Sequence, residues 1–196
     1  MKKILIVISL SITLLSCTKS IEKELFFVGK NNLPKKPHWI EKTLHIDDNI
    51  SSKYFINTHQ QGQIPYITLL SIKDIPTKTS INELIDGIYD AELEYLAMTV
   101  KNAKYPIFIH FLPRSKNKNI DAVLYKNSYQ YVVNFFKQQK AHNIIWLIEN
   151  NISDQSFNEY YPGRHYIDGM IIETKEKSIG KENLTAYINN SLIDNK

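Results

Sequence analysis

Apolar positions along the chain gather into short, uniformly apolar runs separated by longer amphipathic stretches. Leu25-Phe26-Phe27-Val28-Gly29 is one such run, ending in a glycine turn, and Tyr66-Ile67-Thr68-Leu69-Leu70 is another, launched by Pro65. Ile107-Phe108-Ile109-His110-Phe111 follows Pro106, Ile144-Ile145-Trp146-Leu147-Ile148 comes next, and Tyr166 to Ile172 is the last. Runs this short that do not alternate predict strands buried on both faces. Asn31 to Pro37 and Asp47 to Ser52 read as loops.

The stretches between them carry helical spacing. Ser80 to Lys101 is predicted as one helix, with Leu93, Leu96, Ala97 and Val100 three and four residues apart. Asp90 and Glu92 place negative charge where a helix dipole favours it. Asp121 to Gln139 is predicted as a second, with Val132, Val133, Phe135 and Phe136 on its apolar face, and Lys181 to Leu192 as a short third. Strand and helix in regular alternation predict an α/β fold built on a parallel sheet. Ligands then belong at the C-terminal strand ends: Gly29 to Asn31, Ser71 to Asp74, Leu112 to Lys116, Glu149 to Asn151, and Glu173 to Lys175.

The first residues add a different signal. Lys2-Lys3, an apolar run from Ile4 to Leu10, and Leu14-Leu15-Ser16-Cys17 form a charged, an apolar and a cleavage region in secretory order. The ending resembles a bacterial lipobox. It predicts a signal peptide over residues 1–16, lipidation of Cys17, a tether over 17–24, and a single domain over 25–196. The chain would then sit in the bacterial cell envelope, anchored to a membrane at the outer membrane or cell surface. Cys17 is the one cysteine of the sequence, so no intramolecular disulfide is predicted.

Composition narrows the partners. The 196 residues are 43% apolar and 22% charged, which suits one globular domain and excludes disorder. The net charge of +4 comes from scattered lysines, with only Arg114 and Arg164 as arginines, and Lys2 and Lys3 leave with the signal. A nucleic-acid groove favours clustered guanidinium groups, so no nucleic-acid partner is predicted. His38, His45, His59, His142 and His165 lack metal-ligand spacing, so neither a metal nor any cofactor is predicted.

Five stretches, in order, carry a family resemblance: Gly62-Gln63-Ile64-Pro65-Tyr66-Ile67-Thr68, Ile85-Asp86-Gly87-Ile88-Tyr89-Asp90, Tyr105 to Phe111, Asn143-Ile144-Ile145-Trp146, and Tyr160-Tyr161-Pro162-Gly163 with Tyr166-Ile167-Asp168. Together they resemble glycoside hydrolase family 26, the β-mannanase and lichenase group of (β/α)-barrel enzymes. The resemblance implies a shortened TIM-barrel-like domain of about six parallel strands. Removing residues 1–16 leaves about 180 residues, short of the ~250 of a full barrel. Open barrel edges would then invite homodimerisation.

A retaining glycosidase needs a protonated carboxyl and an ionised one ~5 Å apart. The family's acid is a Glu in a His-Glu-Met-Asn-Gly signature after the strand matching Ile107 to Phe111. Here the chain continues Leu112-Pro113-Arg114-Ser115, which puts Arg114 at that position, and no Asp or Glu occurs between Glu94 and Asp121. A guanidinium has no proton to give at neutral pH. The family's nucleophile is a Glu ending its seventh strand, for which this reading finds no counterpart.

The resemblance therefore implies a non-catalytic, glycan-binding relative taking a β-mannan or β-glucan polysaccharide. Two alternatives stay open: an active hydrolase using Glu149 and Glu173, which both follow apolar strands, and a surface structural lipoprotein without sugar affinity. Aromatic faces stack on sugar rings, so Trp39, Tyr66, Trp146 and Tyr161 are candidate glycan contacts, with core packing the competing reading. His110 joins them as a substrate contact or a hydrogen-bonded core histidine. Asp168 is assigned a structural role at the sheet.

Overall fold

The computed structural model describes residues 39–74, 77–114, 119–151 and 157–173, with only the backbone for 150, 151, 172 and 173. The predicted signal, the Cys17 anchor, the tether, the Leu25 to Gly29 strand and the Lys181 to Leu192 helix lie outside these residues. Five strands are present: β1 (Trp39–His45), β2 (Ile64–Leu70), β3 (Ile107–Phe111), β4 (Ile144–Asn151) and β5 (Gly169–Glu173). The helices are α1 (Ser52–Gln60), α2 (Thr77–Ile85), α3 (Asp90–Ala103), α4 (Ala122–Gln138) and the single turn α5 (Phe157–Tyr160).

All neighbouring strands pair in parallel, and their spatial order is their chain order, β1 to β5. A doubly wound sheet reverses its order partway; an unbroken sequential order instead keeps every right-handed crossover on one face. The two faces accordingly bury different sets of residues. One packs Ile67, Leu69, Ile107, Ile109, Phe111, Trp146 and Ile148 against the helices. The other gathers Trp39, Tyr66, Phe108, Leu147 and Ile171 into a second cluster on the concave side. This is the architecture of a shortened (β/α) barrel.

The structure departs from the sequence reading at four elements. β1 is a strand the apolar runs did not reveal, because Ile40, Glu41, Lys42 and Thr43 are all exposed. α1 was also missed: of its nine residues only Phe55 and Thr58 are buried, although Ser51 caps it by accepting from the Lys53 N–H. The single helix predicted from Ser80 to Lys101 is two helices. Gly87, at φ 80°, breaks them apart, and the turn is held by the Tyr131 hydroxyl donating to Asp90 Oδ1. The helix predicted from Asp121 is α4, whose N-terminus Asp121 caps by accepting from Leu124 N at 2.9 Å. The final strand starts at Gly169, three residues later than the apolar run, because Asp168 is used as a brace: its Oδ2 accepts from Trp146 N at 3.0 Å.

Candidate functional site

The parallel register raises a line of polar side chains across the concave face. His110 lies opposite Thr68 on β2 and Leu147 on β4, so Tyr66 sits two residues below it and Glu149 two above. The offset matches the stagger that tilted barrel strands impose. The Tyr66 hydroxyl and His110 Nδ1 share a hydrogen bond of 3.0 Å, and His110 Nε2 faces Glu149 Oε2 at 3.9 Å. That last separation is ionic reach rather than a hydrogen bond. All three residues are buried. Nearer β1, Thr68 donates to Glu41 Oε1 at 3.0 Å.

Arg114 is set by the end of β3. Leu112 is fully buried and adopts φ 50°, a left-handed conformation that costs a non-glycine residue about 1–2 kcal/mol. The strand ends in that turn, and Arg114 follows it out to the rim. Its guanidinium carbon lies 3.9 Å from the centre of the Tyr160 ring, a cation–π contact between the end of β3 and the turn after β4. Tyr160 is anchored in turn by donating to the Ile120 carbonyl at 3.2 Å, and its ring meets Tyr125 edge-on at 5.7 Å.

Tyr125 stands on the first turn of α4, and its buried hydroxyl has no hydrogen-bond partner among the described residues. Burial pushes its ionisation well above the ordinary tyrosine range; Arg114 opposes the shift and Glu149 adds to it. Arg114, Glu149, Tyr125 and Tyr160 therefore share one neighbourhood at the strand ends.

The aromatic candidates fare differently. Trp146 belongs to the helix side of the sheet, at 4% exposure, where Phe136 and Tyr129 enclose it edge-on. Tyr161 packs on Phe157 in the same core, and burial pushes its ionisation up to about 12 despite the opposing charge of Arg164. Trp39 opens β1, at the end of the sheet opposite the ligand-bearing loops, and Tyr66 points its hydroxyl to His110. None of the four is more than 9% exposed, so none offers a face for a sugar ring to stack on.

The backbone sets Glu149 and Glu173 on neighbouring strands. Glu149 lies opposite Ile171, and Glu173 lies opposite Asn151, two residues further along. With ~3.3 Å per residue and ~4.8 Å between strands, their backbones stand ~8 Å apart. Among the described residues, no three His, Cys, Asp or Glu side chains converge as a metal site requires.

No protein-family model and no curated protein matches the chain. Solved structures do. A mannanase from Bacillus subtilis superposes with a TM-score of 0.55 at 18% identity, over 76% of this chain and 56% of its own. A family 26 β-mannanase from Bacteroides ovatus gives 0.56 at 14%, over 81% and 58%. A β-mannanase from a symbiotic protist of the termite Reticulitermes speratus, solved with a gluco-manno-oligosaccharide, gives 0.51 at 12%, over 80% and 62%. At such identities the likeness is one of architecture. The chain has the fold of the family 26 β-mannanases and spans little more than half the length of the structures it matches.

Proposed function

We propose that this is a lipid-anchored, non-hydrolysing member of the β-mannanase fold that binds a β-mannan or β-glucan polysaccharide at its strand ends. The observation that carries the reading is Arg114. The residue that resemblance sets at the acid position is a guanidinium packed on Tyr160. A guanidinium can neither protonate a leaving group nor leave a neighbouring carboxyl protonated. Neighbours of the same fold include a mannanase solved with a gluco-manno-oligosaccharide, which supports the ligand class.

The test combines two measurements on the mature protein. Affinity electrophoresis through mannan, glucomannan and mixed-linkage glucan should show retardation, while reducing ends released from the same polymers should stay at the background. Turnover would overturn the non-hydrolysing reading, and absence of retardation would favour a structural lipoprotein. Lipidation is read separately: palmitate labelling should be lost in Cys17→Ala.

One observation favours a second reading, that of a hydrolase with unusual carboxylates. Glu149 is buried beside His110 at the mouth of the sheet, where barrel enzymes place their chemistry. Should turnover be found, Glu149→Gln must abolish it for this reading to stand.

A further inference from the structure

The end of the sheet opposite the ligand-bearing loops is cationic. Because all five strands are parallel, the turns that enter β2, β3, β4 and β5 lie at one end. Side chains join them: Asn143 Nδ2 donates to the Tyr105 carbonyl at 2.8 Å, the Lys137 ammonium donates to the His165 carbonyl at 2.9 Å, and the His59 ring stacks on Tyr105 at 3.8 Å. Residues 58–63, 101–106, 137–143 and 162–168, which form these turns, include Lys101, Lys104, Lys137, Lys140 and Arg164. The one carboxylate among them, Asp168, is used at the Trp146 N–H. Lys104, Lys140 and Arg164 are exposed, and none forms an ion pair among the described residues. The lysine ion pairs, Lys73 with Asp48 and Lys78 with Asp121, lie at the ligand end.

Two of these lysines stand where glycine is favoured. Lys104, after α3, has φ 63°, and Lys140, after α4, has φ 60°. A left-handed residue closing a helix is usually Gly, because a Cβ is strained there. Attraction to the helix dipole does not require lysine at that position, since Lys101 and Lys137 already occupy the last turns of the two helices. Like charges held together at a conformational cost are complementary to a surface of opposite charge. With Lys2 and Lys3 removed from the 24 basic residues, the mature chain is close to balance against its 20 acidic ones. Net charge alone therefore gives little attraction to any surface.

Trp39, through which the chain from Cys17 enters β1, stands at this same end. Resting on the lipid-anchored reading above, we propose that the end is a docking surface for anionic phospholipid headgroups. Lys104, Lys140 and Arg164 lie against the membrane that holds Cys17, and the strand ends assigned to the glycan face away from it. Attraction of cations to an anionic bilayer fades within a Debye length, ~8 Å at physiological salt, so only the charges at the facing end contribute.

The test is sedimentation of the mature protein, carrying Cys17→Ser so that no lipid is attached, with vesicles of phosphatidylglycerol and phosphatidylethanolamine or of phosphatidylcholine alone. The protein should sediment with the anionic vesicles only and be released as salt rises to about 0.5 M. Lys104→Gly combined with Lys140→Gly should weaken that affinity about twentyfold, or about fivefold per cation. Thermal unfolding of the same variant should stay in place or rise, because glycine suits a left-handed turn. Lys53→Gln combined with Lys78→Gln removes the same charge at the ligand end and should leave vesicle affinity unchanged. Hydrogen exchange should slow at residues 101–106 and 137–143 on vesicle binding, and not at 46–51. Equal sedimentation with phosphatidylcholine, an undiminished affinity in the glycine variant, or an equal loss in the glutamine variant overturns the proposal. So does retention on immobilised polyglutamate without retention on vesicles, which would assign the surface to an acidic protein. Palmitate labelling of the wild type separates this proposal from the anchor: a labelled protein whose Cys17→Ser form ignores anionic vesicles loses only the docking surface, whereas an unlabelled one whose Cys17→Ser form binds them loses only the anchor.

Discussion

At the scale of single residues, the concave face shows how chemistry is positioned by register. Tyr66, His110 and Glu149 occur in three separate apolar runs, and nothing in the sequence says that they meet. Their contacts follow from pairing Tyr66 with Phe108 and His110 with Leu147. The strand ends were legible, since apolar runs end where polar residues begin; the contacts were not, because a strand apolar throughout does not reveal which of its faces looks inward. Trp146 illustrates the ambiguity. One residue of shift would have turned it into the concave face, yet it sits between Phe136 and Tyr129 on the helix side. Trp146→Ala should therefore cost about 3–5 kcal/mol in urea unfolding, as for other buried aromatics. Under conditions where the variant remains folded, its affinity for any bound glycan should be unchanged, which separates a core residue from a stacking platform.

Elements were read well where burial and spacing coincide and poorly where they do not. α4 was found within a residue because its N-cap is an Asp and its apolar face is long; Tyr125, Tyr129, Val132, Val133 and Phe136 are all buried. β1 escaped because an exposed strand has no apolar run to show. The α2–α3 break escaped because helical spacing continues on both sides of it, while one glycine decides the matter. Gly87 adopts φ 80°, and a Cβ there would meet Asp90 Oδ2 at 3.3 Å and the Tyr131 hydroxyl at 3.4 Å. Gly87→Ala should destabilise the fold by about 1–2 kcal/mol, the cost of a left-handed conformation with a side chain. A tighter test of the same logic is the α4 cap. Asp121→Ala should cost about 1 kcal/mol, and Asp121→Asn much less. Both are checked by equilibrium unfolding, and an alanine that costs nothing would show that the Asp121–Leu124 bond contributes no stability.

For the molecule as a whole, sequential strand order is what separates this fold from other parallel sheets, and the core on its helix side contains buried tyrosines. Tyr129 donates to the Leu147 carbonyl from full burial, Tyr125 lies beside it, and Tyr161 closes the same core from the β4–β5 connection. Burial raises the ionisation of all three, Tyr161 to about 12. An unfolded chain releases these protons near pH 10. Below that pH both states hold them, and the stability their neutral forms contribute is complete. Between about pH 10 and 12 the unfolded state loses protons that the native state keeps, so unfolding becomes progressively more favourable. The urea midpoint should therefore fall through that interval. Tyr161→Phe, which removes one of the raised groups without emptying its site, should lower the midpoint at neutral pH by less than it flattens the alkaline decline. Lysines titrate in the same range, so the wild-type curve alone cannot assign the effect to tyrosine; the difference between the two curves can, and parallel curves would show that Tyr161 ionises as readily in the folded protein as in the unfolded one.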